Sequence, residues 1–140
     1  MTLVIDASMA LAWIYTREKP TEAECADRAL QAITEMATVV PSLWHTEIAN
    51  ALLVGERRKI ITEAQTFDYL TRLARLPIDV DEAAPAARQD QVMALAREYG
   101  LTSYDATHLD LALRMGAMLA TFDAKLAGAM LRAGGESFCV

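Results

Sequence analysis

Five short apolar runs, separated by stretches of helical periodicity, constrain the fold of this 140-residue chain more than any other feature. The runs are residues 3–5, 37–40, 78–80, 117–120 and 137–140. Strands that alternate with helices pair in parallel through right-handed crossovers. The pattern therefore predicts an α/β fold: a three-layer α/β/α sandwich with a short central, mainly parallel five-stranded sheet. No repeat, low-complexity tract or linker interrupts it, so we expect residues 1–140 to form a single domain.

Signals at the helix boundaries agree with this alternation. In a capping box, a Ser or Thr side chain and a Glu or Gln three residues later satisfy the first backbone N–H groups of a helix, and a glycine is typical just after the last turn. Two capping boxes and two terminal glycines are predicted: Thr21 with Glu24, Thr62 with Gln65, Gly100 and Gly116.

The composition favours a soluble protein. Apolar residues make up 54% of the chain, and no apolar run approaches the ~20 residues that cross a bilayer. The first strand begins without a secretory signal, so we expect a cytoplasmic location and no membrane partner. Cys25 and Cys139 have no Cys-x-x-Cys partner, which argues against a zinc knuckle or redox pair and predicts two ordinary thiols. A net charge of −6 lacks the basic footprint of most nucleic-acid-binding proteins, although cations held by clustered acids would change the local charge.

Four acids lie where the carboxyl ends of the predicted strands bring them towards one edge. Asp6 ends the first apolar run and Asp123 follows the fourth, while Asp105 opens a helix and Glu47 lies about one turn inside another. In open parallel sheets the ligand crevice lies beyond the carboxyl ends of the strands. The sequence therefore predicts that the four carboxylates converge.

Each acid has a structural explanation when it is taken alone. Asp6 and Asp123 are in positions typical of helix N-caps, Asp105 in a first helical turn is favoured by the helix dipole, and Glu47 fits a solvated helix edge. A structural role is the better explanation for Asp105 and Asp123 alone. For Asp6 we favour function, because Ser8 is already an adequate cap. Independent caps would have no reason to meet at one edge, so the joint placement favours a site.

A cluster of carboxylates favours a hard divalent cation. Two carboxylates about 4 Å apart repel by roughly 4 kcal/mol at an effective dielectric of 20, so the cluster needs a proton or a cation. Oxygen-only ligands select Mg²⁺ or Mn²⁺. His45 and His108 have no metal-spaced partner, and His108 is expected on a helix surface, so a zinc site is not predicted.

At these residues the chain resembles the PIN-domain ribonucleases, in particular the toxin component of VapBC-type toxin–antitoxin pairs. The resemblance spans nearly the whole chain. It is carried by Val-Ile-Asp-Ala-Ser at residues 4–8, Pro-Ser-Leu-Trp-His-Thr-Glu-Ile-Ala-Asn at 41–50, Tyr-Asp-Ala-Thr-His-Leu at 104–109 and Ala-Thr-Phe-Asp at 120–123. The family implies a PIN-like fold, a homodimer and an antitoxin whose C-terminal segment covers the acidic groove.

The resemblance also implies the roles of individual residues. Asp6, Glu47, Asp105 and Asp123 would be the catalytic acids, with Asp6 and Asp105 as the principal ligands of Mg²⁺ or Mn²⁺ and Glu47 and Asp123 as further ligands. Supporting roles fall to Ser8 and Thr121, which would orient a water or a carboxylate, and to Asn50, one turn after the helix acid. His108 stands where the family often has an aromatic residue, and Asp110 points about 140° away from Asp105 around the helix, off the site.

The function expected from these residues is metal-dependent hydrolysis of an RNA phosphodiester by the toxin of a type II toxin–antitoxin system. Cationic contacts with RNA are expected from residues 57–59 and from Arg17 and Lys19. Two alternatives stay open. One is a non-catalytic PIN-like binding module, and the other is an acidic-site phosphatase or receiver-like protein, although the first strand reads Asp-x-Ser and no acid stands where a receiver would carry its phosphoacceptor.

Overall fold

A computed structural model describes residues 1–139 and shows a five-stranded, wholly parallel sheet between two layers of helices. The elements in chain order are β1 (Thr2–Ile5), α1 (Ala7–Leu11), α2 (Pro20–Ile33), β2 (Ala37–Val40), α3 (Leu43–Arg57), α4 (Glu63–Leu73), β3 (Ile78–Val80), α5 (Pro85–Tyr99), α6 (Ser103–Met115), β4 (Met118–Ala120), α7 (Ala124–Arg132) and β5 (Glu136–Ser137). The predicted α/β/α sandwich is confirmed. The fifth predicted strand is shorter than expected, and Val140 lies outside the described residues.

The strand order is β3-β2-β1-β4-β5, which places β1 at the centre. Ile5 pairs with Ala120 in β4, and Val4 pairs with Val39 in β2. The residues that follow β1 and β4 are therefore neighbours at the carboxyl edge. This order differs from the 2-1-3-4-5 order of receiver domains, so the fold is not that of a receiver.

Alternation along the central strands builds one apolar core on each face of the sheet, as the period of a strand requires. Leu3 and Ile5 pack with α1 to α4, where Trp44 of α3 is the largest buried side chain. Val4 and Leu119 pack with α5, α6 and α7 on the opposite face. Within residues 1–139, the structure contains no helix that combines the length and the apolar character needed to cross a membrane.

The helix boundaries correct one prediction and confirm others. Thr62 and Gln65 form the expected capping box, and Gly100 and Gly116 end α5 and α6 in the left-handed conformation. The capping box predicted at Thr21 is wrong. Helix α2 begins at Pro20, two residues before the start that a cap at Thr21 would give, because the fixed φ of proline suits the first helical turn, where its missing N–H leaves no hydrogen bond unmade.

Cys25 and Cys139 are not separate thiols as expected. They form a disulfide that connects α2 to the residue two positions after β5. Their separation of 114 residues hides this pairing from any reading of local spacing. The disulfide holds the end of the chain beside the loop that follows β4.

Candidate active site

Asp6 is the most firmly positioned of the four acids. It follows β1 directly, is 5% exposed, and caps α1 by accepting a hydrogen bond from the Met9 N–H at 3.0 Å. The Ser8 hydroxyl donates to Oδ1 at 2.7 Å, and the Thr121 hydroxyl donates to Oδ2. Three donors therefore fix the orientation of a nearly buried carboxylate.

The two hydroxyls also connect the loops that follow β1 and β4. The Ser8 hydroxyl accepts a hydrogen bond from the Phe122 N–H at 3.0 Å, and the Thr121 hydroxyl accepts one from the Asp123 N–H at 2.9 Å. Each hydroxyl donates its single proton to Asp6 and accepts a hydrogen bond from a neighbouring backbone N–H group. Ser8 therefore orients the carboxylate, and the expectation that Ser8 caps the helix in place of Asp6 is wrong.

Glu47 faces the same edge from the second turn of α3. Burial raises the pKa of its carboxyl; the charge of His108 acts in the opposite direction, while the charges of Asp6 and Asp105 raise the pKa further. Within residues 1–139, its buried Oε1 atom has no hydrogen-bond partner.

His108 is buried, with 1% of its surface exposed, which contradicts the expected helix-surface position. It shares the inner face of α6 with Leu109 and Ala112, and this i, i+1, i+4 spacing was the available signal. Its Nδ1 lies 2.9 Å from the Tyr104 carbonyl, and a carbonyl oxygen only accepts, so Nδ1 carries a proton. Its Nε2 lies 3.6 Å from Glu47 Oε1. The imidazole therefore packs directly behind the Glu47 carboxylate.

Asp105 lies in the first turn of α6, where Thr102 caps the helix by accepting the Asp105 N–H at 3.1 Å. Burial raises the pKa of the Asp105 carboxyl, and the charges of Asp123 and Asp6 raise it further, against smaller opposite effects of His108 and Lys125. Because Thr102 already serves as the cap, the Asp105 carboxylate is not needed to start the helix.

Asp123 is the exposed member of the set and is also a helix cap. Its Oδ1 accepts the Leu126 N–H at 2.9 Å at the start of α7, which is the structural role considered from the sequence. Its charge nevertheless acts on Asp105. Capping and membership of the acid cluster are therefore compatible in this residue, as they are in Asp6.

The acid cluster, defined as Asp6, Glu47, Asp105 and Asp123, thus lies at the carboxyl edge with its charges acting on one another. Within residues 1–139, no three acidic, histidine or cysteine side chains are close enough to bind one ion together. The chemistry of the donors still fits a hard cation. They are all carboxylates, Glu47 presents a buried acceptor without a partner, and their mutual repulsion is what a cation would relieve.

A surface recess of about 510 Å³ opens beside the acid cluster, between α3 and α6. Its lining includes Glu47, the exposed Asn50 one turn further along α3, and Tyr104, which is 62% exposed. The volume falls within the range of small-ligand pockets, so the recess has room for a nucleotide. The aromatic side chain at its rim was not singled out from the sequence.

The basic residues expected to contact RNA lie at a helix end and after the first helix, as the sequence indicates, with Lys19 directly before α2. Residues 57–59 lie at the far end of α3, about 15 Å along the helix from Glu47 at 1.5 Å per residue. Arg17 pairs with Glu22 at 3.1 Å and lies over the Phe122 ring. Lys125, which the sequence analysis does not single out, is near enough to Asp105 for its charge to act on that carboxyl.

Asp110 lies off the site, as expected from its direction on α6. It accepts hydrogen bonds from Arg88 at 2.7 and 3.0 Å and from Arg114 at 3.1 Å. Arg114 in turn donates to Asp81 at 2.6 Å. These four residues form a separate, internally paired group, called the paired cluster below.

Comparison with known sequences places this geometry among related proteins. The family model described as PIN domain matches residues 3–129. Ribonuclease VapC3 of Pyrobaculum aerophilum is 34% identical over 127 residues, which cover 91% of this chain and 93% of that protein. The similarity therefore spans every element from β1 to the middle of α7.

Two crystal structures have a similar fold. That of PAE2754 from Pyrobaculum aerophilum is 27% identical, with a TM-score of 0.67 over 92% of this chain and 87% of that chain. That of FitAcB from Neisseria gonorrhoeae is 15% identical, with a TM-score of 0.63 over 97% and 96% of the two chains, and at this identity it bears on the fold alone.

Proposed function

Because this chain belongs to the PIN-domain family, we propose that it is a metal-dependent endoribonuclease, the toxin component of a type II toxin–antitoxin pair. The observation that carries the proposal is the acid cluster at the carboxyl edge of the sheet, where burial and then the charges of neighbouring acids raise the pKa of Glu47 and Asp105. The 34% identity to a ribonuclease supports RNA as the substrate.

In this proposal Asp6 and Asp105 are the principal ligands of Mg²⁺ or Mn²⁺, with Glu47 and Asp123 completing the acidic set. A bound divalent cation supplies a water of lowered pKa and offsets negative charge on the phosphate. Mg²⁺ usually keeps several waters and is bound by one or two carboxylates plus substrate phosphates.

The remaining residues position the reacting groups. Ser8 and Thr121 hold the Asp6 carboxylate in one orientation and prevent it from turning away from the edge. The recess beside Glu47 receives the RNA strand, where Asn50 offers amide hydrogen bonds and the exposed Tyr104 ring offers a stacking surface for a base.

The partners follow from the same resemblance. We propose an antitoxin that covers the acidic recess and a homodimer of this chain, with residues 1–140 acting as one PIN-like domain in the cytoplasm. A basic antitoxin segment would suit a cluster in which the Glu47 and Asp105 carboxyls are partly desolvated. A non-catalytic binding module shares all of this geometry and differs only in the absence of turnover.

The test is cleavage of a mixed RNA pool by purified protein with Mg²⁺ or Mn²⁺, with EDTA as the metal-free control. Asp6→Asn is expected to abolish cleavage and to keep the fold, because asparagine also caps helices well. Asp90→Asn is the matched control, since Asp90 is exposed on α5 and its charge acts on neither Glu47 nor Asp105. Cleavage that survives EDTA or Asp6→Asn would overturn the proposal, and metal binding without turnover of any RNA would favour the binding module.

A further inference from the structure

Lys125 occupies a position that helix electrostatics disfavour. It lies in the first turn of α7, two residues after the Asp123 cap, where the positive end of the helix dipole repels a cation. Its side chain is exposed, so packing does not require a lysine there. When a residue opposes the preference of the helix dipole and no packing contact explains it, a functional reason is indicated.

The side chain lies against the start of the acid-bearing helix. Its Cε and Nζ atoms lie 3.8 Å from the position that a Cβ atom would take on Gly100, the left-handed residue that ends α5 three positions before α6 begins. Within residues 1–139, the ammonium makes no ion pair within 4.0 Å and no hydrogen bond, although Asp105 is close enough to feel its charge. The lysine therefore borders the acid cluster with its three donors unused by the described chain.

Other cations are less suited to contact a strand at this point. Arg17 is engaged by Glu22 and Phe122, and residues 57–59 lie at the far end of α3. Among the described residues, Lys125 is the one lysine or arginine whose charge acts on Asp105. An RNA strand that approaches four carboxylates is repelled by them, and a nearby ammonium reduces that repulsion at short range.

We propose that Lys125 binds a non-bridging phosphate oxygen of the RNA strand at the acid cluster and so sets the position of the phosphate beside Asp105. The inference rests on the proposed ribonuclease function and adds a residue to its substrate-binding surface. A lysine suits this role because its ammonium is a compact charge on a flexible stem and binds phosphate without sequence preference.

The alternative is that Lys125 only offsets repulsion among the acids. Binding measurements separate the two roles, because the salt dependence of RNA affinity counts the phosphates that a protein neutralises. A lysine that acts only on the acids changes protein stability and leaves this slope unchanged.

The experiment uses the full chain carrying Asp6→Asn, so that RNA is not cleaved, and a fluorescein-labelled single-stranded RNA of mixed sequence. Fluorescence anisotropy gives the affinity at several KCl concentrations with Mg²⁺ present. The Lys125→Met change removes the charge and keeps the stem, and Lys125→Arg keeps the charge. Arg75→Met is the matched control. Arg75 is exposed and comes before β3, so it lies at the amino edge of the sheet, whereas the acid cluster lies at the carboxyl edge.

We expect Lys125→Met to weaken binding about tenfold, the effect of one lost charged hydrogen bond. The slope of log affinity against log salt should fall by about 0.7, the value for one phosphate on a single strand. Lys125→Arg should retain the slope, and Arg75→Met should change neither quantity.

Each remaining outcome counts against the proposal in a recognisable way. If the Asp6→Asn protein binds RNA and Lys125→Met changes neither affinity nor slope, Lys125 does not bind phosphate and the proposed ribonuclease function is untouched. If melting temperature alone changes, the lysine acts only on the acids. If no variant binds RNA while circular dichroism shows folded protein, the phosphate contact and the proposed function fail together.

Discussion

Two groups of charged side chains adjoin α6, and they are built in opposite ways. In the paired cluster, two acids meet two arginines, and Asp110 alone accepts three hydrogen bonds from guanidinium groups. In the acid cluster, four carboxylates share one edge, and the basic groups that act on them are one histidine and one lysine. Asp105 and Asp110 are only five residues apart on the same helix.

The pKa values of the acids differ in direction between the two groups. Burial acts to raise the pKa of Asp81, but the hydrogen bond from Arg114, a backbone hydrogen bond and the charges of Arg114 and Arg88 outweigh it and the pKa is lowered. Burial also raises the pKa of Asp105, and there the neighbouring acids add to the effect. Desolvation is common to both sites, so the difference lies in the partners.

The contrast indicates which group serves the fold and which serves a ligand. Charges that are paired inside the chain need nothing more, whereas carboxylates that repel one another reduce stability until something positive binds. Under the proposed function, the acid cluster is a site kept in spite of its effect on the stability of the folded state. The following changes test this division, from the largest expected effect on stability to the smallest.

Asp110→Asn should give the largest loss of stability, because it leaves Arg88 and Arg114 beside a neutral, buried amide. We expect the free energy of unfolding to fall by about 3 kcal/mol, the low end for removing one partner of a buried pair, since both arginines are partly exposed. Urea unfolding measures the loss. Asp90→Asn, at an exposed acid, should change it by less than about 0.5 kcal/mol.

The same variant should cleave RNA as well as the wild type for each folded molecule, because Asp110 points away from the acid cluster. Loss of cleavage in fully folded Asp110→Asn protein would show that the paired cluster also serves activity, which would contradict the division between the two clusters.

The sequence predicts the acid cluster better than the paired one. Asp6 and Asp123 were found because parallel strands bring the residues after β1 and β4 together, and this follows from the strand order alone. The partners of Asp110 were not found, because Arg88 is 22 residues away on another helix. The direction of Asp110 on α6 was predictable, but its ligands depend on how α5 packs.

Other residues escaped prediction for similar reasons. The Cys25–Cys139 disulfide depends on how the chain end meets α2, which no local spacing encodes. The burial of His108 does not follow from the absence of a metal-spaced partner; it follows from the position of this residue on the inner face of α6. A cluster of basic residues is visible in the sequence, whereas a single lysine such as Lys125, whose charge acts on the acid cluster, is recognisable only in three dimensions.

Addition of Mg²⁺ or Mn²⁺ should raise the free energy of unfolding of the wild-type protein, by somewhat less than the loss expected for Asp110→Asn. A ligand that binds only the folded state adds about 2.7 kcal/mol at one hundred times its dissociation constant. Thermal unfolding with increasing metal measures the effect, and Asp105→Asn should reduce it while Asp110→Asn keeps it. An equal metal effect in all three proteins would place the ion away from the acid cluster.

The smallest effect concerns pH in the absence of metal and isolates the repulsion itself. The pKa values of Glu47 and Asp105 in the folded state are raised above their ordinary values of 4.5 and 3.8. At a pH just above those ordinary values, the two carboxyls are therefore still partly protonated in the folded state but ionised in the unfolded state. Stability from this source is present below the ordinary values and is lost as pH rises through the raised ones. Other acids, such as Asp81, act in the opposite sense, so the total pH dependence is not diagnostic.

The difference between Asp105→Asn and the wild type removes those other contributions. In EDTA at pH 7, Asp105→Asn should melt roughly 2–4 °C higher, the shift given by about 1 kcal/mol in a chain of this size. The advantage should shrink as pH falls through the raised pKa values, since the wild-type carboxyl then becomes neutral too, and it should reverse when Mg²⁺ is added. A variant that is less stable than the wild type in EDTA at pH 7 would mean that Asp105 is paired within the fold like Asp110, and the division between the two clusters would no longer hold.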